Sequence, residues 1–337
     1  MGDHHQSELK TMTLSTDRRS LFKLSLAGAA SLAMPQIMVR AAHADVAQAG
    51  TEAPAFHRFK LGTFEVTTIS DGIRVGDGPY PTFGANQQPE AVSELMAANF
   101  LPADRFANGF TPTLIHTGKD LVLFDTGLGE GARGGGLGKM RERLQASGYS
   151  PDDVTVVVIT HFHPDHVGGL TEAGKPSFPK ARYVMGKVEH DFWTAPERLS
   201  GPTAQVATLT KTKVAPLAKD ATLIGDGEEV LPGITAMAAH GHTPGHMIFH
   251  VESAGKRLVL TADTANHYVA SLQRPDWHVA FDLDKEQAAQ SRGKVFDMIA
   301  ADRVPFIGYH MPYPSLGYVE KMDVGYRYVP ASYQFDL

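Results

Sequence analysis

The chain has 337 residues, with 31 Lys+Arg against 37 Asp+Glu for a net charge of −6, and it is 42% hydrophobic and 20% charged. That balance excludes a largely disordered or collagen-like chain, and its acidic sign disfavours a nucleic-acid binder, which carries a basic face. The lack of cysteine excludes disulfides, cysteine-ligated zinc, iron–sulfur clusters and cysteine nucleophiles, and it leaves 16 histidines as the unusual feature.

Residues 1–44 read as an export signal that is removed on maturation. Asp17-Arg18-Arg19-Ser20-Leu21-Phe22-Lys23 precedes an apolar stretch over 24–38, and Ala42-His43-Ala44 is a small-x-small cleavage pattern. The paired arginines resemble the twin-arginine type of bacterial signal. The apolar stretch is too short and too polar for a spanning helix of roughly 20 residues, so no stable membrane anchor is expected. Cleavage removes five basic and three acidic residues and leaves a net charge of −8. An exported protein, periplasmic or secreted, is expected.

Beyond the signal, apolar runs predict strands at 64–69, 113–116, 121–124, 154–160, 181–185, 234–238, 247–251, 258–261 and 304–309. Ser253-Ala254-Gly255-Lys256 separates two such runs and signals a hairpin. Helical patterns fall near 89–99, 140–148, 190–193 and 285–301. No linker and no fixed-period repeat divides them, so residues 45–337 read as a single α/β domain. The glycine-rich stretch 127–138 fails the phosphate-loop pattern, with Arg133 where glycine is needed and Met140 where Ser or Thr is needed. It reads as a mobile surface loop. No Gly-x-Ser-x-Gly elbow exists, which disfavours a serine hydrolase.

Residues 154–169, VTVVVITHFHPDHVGG, carry the chemistry. A β-branched strand delivers His161, His163, Asp165 and His166 to the loop at its end. In extended backbone His161 and His163 point to one side, and Pro164 then turns Asp165 and His166 toward a second, adjacent position. Three imidazoles and a carboxylate in six residues exceed what one ion takes from so short a stretch; they fit as shares of two ions. Later strands end in His240-Gly241-His242-Thr243-Pro244-Gly245-His246, Thr261-Ala262-Asp263-Thr264 and Tyr309-His310-Met311-Pro312, which supply the remaining ligands.

This constellation resembles the metallo-β-lactamase superfamily, whose signature is His-x-His-x-Asp-His followed by a later His, Asp and His. The resemblance covers residues 55–337. EHDFW (189–193), HGHTPGH (240–246), GYHMPYPSLGY (308–318) and GYRYVP (325–330) are similar to the methyl parathion hydrolase branch, which also holds dihydrocoumarin-type esterases and lactonases. The fold implied is an αββα four-layer sandwich with the site at one edge of the two sheets. The resemblance places His161, His163 and His242 on one metal and Asp165, His166 and His310 on the other, with Asp263 bridging. His242 is preferred to His246 because the family uses the His directly before Thr-Pro-Gly. Two divalent ions are implied; an N/O ligand set suits zinc, with manganese, cobalt or iron as alternatives. Asp125, in LFDTG, resembles the family's supporting aspartate, and His246 is either such a support or a packing residue. Trp193, Met311 and Phe281 are candidates for the pocket wall.

Two divalent ions, two aspartates and a bridging hydroxide sum to +1, which favours a reaction whose transition state gains negative charge. The implied function is a dinuclear-metal hydrolase in which the bridging hydroxide attacks a small neutral carboxyl ester or lactone, with Asp165 and Asp263 as its catalytic carboxylates. Organophosphate triester hydrolysis is the alternative, although the stretch after Asp263 departs from the parathion-hydrolysing pattern. Hydrolysis of β-lactams and a non-catalytic periplasmic binding role are more distant. The expected partner is a small molecule, and the branch's dimeric members imply a homodimer.

Overall fold

The computed structural model describes residues 51–337, so the expected export signal lies outside the described residues. Its first seven-stranded sheet runs, in spatial order, Phe56–Leu61, Phe64–Ile69, Thr113–His116, Leu121–Phe124, Val156–Ile159, Arg182–Gly186 and Thr222–Ile224. The second runs Glu229–Leu231, Ile234–Ala238, Met247–Ser253, Lys256–Ala262, Phe306–Gly308, Leu316–Lys321 and Tyr326–Pro330. Each half of the chain thus builds one sheet.

The strand Val156–Ile159 shows why the layers form. All four residues are buried, as a strand covered on both faces requires. Val156 and Val158 join the core between the sheets, where Phe124 and Val66 meet Phe249, Ile234 and Leu258 of the second sheet. Val157 and Ile159 point the other way and pack with Leu144, Trp193 and Ala207, from the helices Met140–Ala146, Lys187–Thr194 and Ala204–Lys213. On the second sheet's outer face, Ile248, Val259 and Phe306 pack with Val295, Phe296 and Ile299 of the helix Lys285–Asp302. Asp284 caps that helix by accepting from the Gln287 N–H at 2.9 Å. The result is the αββα sandwich. Among the described residues no helix is long and apolar enough to cross a membrane.

Several elements have no strong sequence signal. The hairpin Gly72–Asp77/Arg105–Phe110 stands outside both main sheets and is written in GIRVGD and RFANGF, too polar for an apolar-run criterion. The glycine-rich stretch is tied down beside this hairpin: the Asp71 carboxylate accepts from the N–H groups of Leu128 (2.9 Å) and Met140 (2.7 Å). Its middle, from the short 3₁₀ turn Glu130–Gly135 to Gly136, lies at the open surface.

The hairpin expected around 253–256 forms with Ser253 paired to Lys256, leaving Ala254 and Gly255 as a two-residue turn with φ of +50° and +77°. Such a turn needs left-handed backbone at both positions, which Asn tolerates better than Ala. Ala254→Asn is expected to stabilise the fold by about 0.5–1 kcal/mol, read from the midpoint of urea unfolding. An unchanged or lower midpoint would contradict this turn geometry.

Candidate metal centre

The site is built from strand ends. Leu121–Phe124 and Val156–Ile159 lie parallel in the first sheet and lead into Asp125 and into His161. In the second sheet Lys256–Ala262 and Phe306–Gly308 lie parallel and lead into Asp263 and His310, while Ile234–Ala238 precedes His242. Two of the turns are sharp. Asp125 and Ala262 adopt left-handed backbone, with φ of +60° and +43°, at the point where each strand stops. Side chains that would otherwise continue the strand's alternation are thereby re-aimed at the sheet edge.

The structure gathers the expected ligands into two sets that share one residue: His161, His163, His242 and Asp263, and Asp165, His166, Asp263 and His310. In the first, His242 Nε2 lies 2.9 Å from His163 Nδ1, 3.2 Å from His161 Nε2 and 3.3 Å from Asp263 Oδ2. In the second, His166 Nε2 lies 3.4 Å from Asp165 Oδ2 and 3.1 Å from Asp263 Oδ1, while His310 Nε2 lies 3.4 Å and 3.0 Å from the Oδ2 atoms of Asp165 and Asp263. Tetrahedral N/O ligands about 2.0–2.1 Å from zinc sit roughly 3.3 Å from one another, so both sets are spaced for a divalent ion. His166 Nε2 and Asp263 Oδ1 are buried and make no hydrogen bond, despite their closeness. Two lone pairs that converge on a third atom behave this way.

The opposite edge of four of the five ligand imidazoles is occupied, which fixes their tautomers. His166 Nδ1 donates to Asp125 Oδ2 at 2.8 Å, and Asp125 is itself held by the N–H and hydroxyl of Thr160, both at 2.9 Å. His161 Nδ1 faces the Thr160 hydroxyl at 3.0 Å, His310 Nδ1 donates to the Gly109 carbonyl at 2.8 Å, and His242 Nδ1 donates to Asp282 Oδ1 at 2.8 Å. Each of these rings keeps Nε2 toward the site. His246 is fully buried and is not one of the ligands: its Nδ1 donates to the Ala239 carbonyl at 3.0 Å, and its Nε2 accepts the backbone N–H of Asp263 at 3.1 Å. It therefore sets the backbone from which Asp263 projects.

Charge within the cluster is tightly balanced. Burial opposes ionisation of Asp263, but His310, His166 and His161 outweigh it and hold that carboxyl well below its usual range. Burial likewise opposes charge on His166, yet Asp263, Asp165 and Asp125 outweigh it and hold the ring well above the usual imidazole range. Burial of His242 is outweighed by its hydrogen bonds to Asp263 and Asp282, and it is pushed up to about 9. For His163 burial dominates, followed by the charge of His242, and the ring falls to about 3. Protons on His166 and His242 thus occupy positive charge that divalent ions would supply, so the donor set suits cation uptake with proton release.

A cavity of about 290 Å³ opens over both sets, with His163, Asp165, His242, Asp263 and His310 in its floor. Phe110, Leu128, Val206 and Phe281 give it apolar walls. Phe281 is where it was expected, but Trp193 and Met311 are not on the wall. Trp193 is 2% exposed and donates from Nε1 to Glu189 at 2.8 Å, while Met311 is 1% exposed in the core beneath Lys285–Asp302.

Three further supports are not among the residues expected at the site. Glu189 is fully buried and accepts from Phe162 N, Trp193 Nε1, Thr243 Oγ1 and Gly245 N at 2.7–2.9 Å, so it joins the loops that carry His161/His163 and His242. Tyr309 lies 4.0 Å, ring to ring, from His166 and donates to the Asp165 carbonyl at 2.5 Å. Arg292 is fully buried and pairs with Asp282 at 2.8 Å behind His242. Glu189 and Tyr309 lie inside the quoted stretches EHDFW and GYHMPYPSLGY, whereas Arg292 lies in none.

Comparison with known proteins agrees with this architecture. The family model described as the metallo-beta-lactamase superfamily matches residues 111–305. An N-acyl homoserine lactonase of Bacillus cereus is 24% identical over 215 residues, covering 58% of this chain and 79% of its own. One from Bacillus thuringiensis is 26% identical over 172 residues, covering 46% of this chain and 62% of its own. The dizinc quorum-quenching lactonase AidC superposes with a TM-score of 0.74 at 26% identity, covering 82% of this chain and 97% of its own. The hydrolase AbOPH shares the fold with a TM-score of 0.75 at 24% identity, covering 83% of this chain and 98% of its own. With over half its length matched by the family model, and with two metal-ligand sets at the edge of an αββα sandwich, the chain belongs to the metallo-beta-lactamase superfamily.

Proposed function

We propose that this protein is a dinuclear-metal hydrolase of small carboxyl esters or lactones. The observation that carries the proposal is the membership of Asp263 in both ligand sets, which brings two ion positions together in the floor of one cavity. Bound divalent ions supply activated water at neutral pH and Lewis-acid polarisation of a carbonyl oxygen. Zinc is the proposed metal; the N/O donor set and the dizinc neighbour support it.

The remaining work falls to the chain. Asp263, buried and held ionised, keeps the two positions adjacent. Asp165 is the more accessible carboxylate, with 17% of its side chain exposed, and it lines the cavity. It can take a proton from the attacking water and return it to the leaving alkoxide. Phe110 and Phe281 pack against the substrate's hydrocarbon part and exclude bulk water. The lactonase relatives favour a lactone among the esters. The proposed place of action is outside the cytoplasm, supported by the export pattern in residues 17–44.

The test is metal analysis of the purified protein together with turnover of dihydrocoumarin, an N-acyl homoserine lactone and methyl paraoxon. About two ions per chain with faster lactone turnover is the expected result. Two ions with dominant paraoxon turnover would replace the lactone reading by the triester one. Metal-free protein after zinc-replete expression would refute the dinuclear site itself.

A further inference from the structure

The cavity has a second polar feature that the metal chemistry does not use. Arg74 and Asn108 are directly paired across the antiparallel hairpin Gly72–Asp77/Arg105–Phe110, and both line the cavity. Residues opposite one another on such a ladder present their side chains on the same face, with Cβ atoms about 4.5–5.5 Å apart. Among the described residues, the Arg74 guanidinium makes no ion pair and no hydrogen bond; its contact is the face of Phe110, 5.9 Å from the ring centre. Asn108 is 4% exposed, and among the described residues its carboxamide is likewise without a hydrogen-bond partner. Arg74 is exposed, so water solvates its guanidinium in the free protein, and the Asn108 carboxamide lines the cavity beside it; the two are therefore open to a ligand that enters the cavity.

The hairpin is also fixed relative to the metal ligands. The carbonyl of Gly109 orients His310, and the Phe110 ring packs edge-on against His310 with centroids 5.5 Å apart. The polar pair therefore sits at a set position beside the reacting centre instead of on a free loop.

We infer that Arg74 and Asn108 form a carboxylate-recognising subsite, and that the natural substrate is an ester or lactone bearing an ionised carboxylate away from the scissile bond. A guanidinium and a carboxamide N–H₂ are both donors, and a carboxylate is the acceptor-only group that satisfies the two together. A neutral acyl chain would leave the guanidinium to water and gain nothing from it. This inference rests on the hydrolase reading for its scissile bond. Water adds across the acyl–oxygen bond, releasing a carboxylic acid and an alcohol, while the remote carboxylate is unchanged.

The experiment compares monomethyl esters of succinate, glutarate and adipate with the same esters whose free carboxylate is replaced by a carboxamide. Both binding, by calorimetry on the zinc-loaded protein, and turnover are measured. The carboxylate member of the best-fitting pair is expected to bind and to show a KM roughly tenfold better than its amide partner, a ratio typical of a charge-assisted hydrogen bond. Arg74→Gln should bring that ratio close to one, Arg74→Lys should keep part of it, and Asn108→Asp should invert it. A carboxylate that docks on the metal ions instead would be preferred equally by the parent and by Arg74→Gln, which overturns the subsite. Equal binding of the two members in the parent also overturns it. A binding preference that Arg74→Gln abolishes, without turnover of any ester, supports the subsite and counts against the hydrolase reading.

Discussion

Asp263→Ala is expected to strip both ions from the protein and lower hydrolysis by roughly a thousandfold or more. The reason is geometric. Each of the six other ligand residues belongs to one set, whereas Asp263 belongs to both, with Oδ2 near His242 and His310 and Oδ1 near His166. Removing it takes one of four ligands from each set and also removes the shared negative charge that keeps two cations tolerable side by side. Asp263→Asn keeps the volume and separates the two effects: an oxygen remains, but the charge does not. Both variants would be desalted and analysed for metal, with His250→Ala as the control. His250 is half-buried on the strand Met247–Ser253, belongs to neither set, and faces the sulfur of Met237. Matched metal content and matched activity in Asp263→Ala and His250→Ala would refute the bridging assignment.

Much of this site is legible from residue spacing because the ligands obey two local rules. They follow apolar strands directly, as Asp263 follows Lys256–Ala262, and they cluster within a few residues, as His161 to His166 do. Both rules operate over short stretches of chain, so a linear reading captures them. What it misses acts at a distance. Asp282 contacts His242 across 40 residues of sequence, from a loop with no periodicity. Arg292 sits in the middle of an 18-residue helix, where an arginine ordinarily marks the solvent face, yet it is fully buried. Arg74 and Asn108 gain meaning only from the register of a hairpin too polar to announce itself. Trp193 and Met311 are candidates for the pocket wall in the sequence, but packing turns one toward Glu189 and the other into the core.

The second large effect is expected at Asp282, which touches no reacting atom. Its Oδ1 accepts from His242 Nδ1 and its Oδ2 from Arg292, each at 2.8 Å, and it is 2% exposed. The other donors of Arg292 are spent on the carbonyls of Thr264, Pro275 and Trp277, so Asp282 is its carboxylate partner among the described residues. Asp282→Ala therefore leaves a buried guanidinium without its counter-charge, and the fold should lose about 3–5 kcal/mol, measured by urea unfolding in the presence of chelator. His242 loses the acceptor that holds its proton on Nδ1, so zinc affinity at the His161/His163/His242 set should fall by about 10–100-fold in a chelator competition titration. The Asp165/His166/His310 set should be spared, because its imidazoles lean on Asp125 and on the Gly109 carbonyl. Asp125→Asn should give the reciprocal pattern. Asp282→Arg paired with Arg292→Asp would not restore either property, since only the native order places an acceptor at His242. If Asp282→Ala lowered stability but left both zinc affinities unchanged, Asp282 would be a partner for Arg292 alone and the orientation of His242 would have another cause.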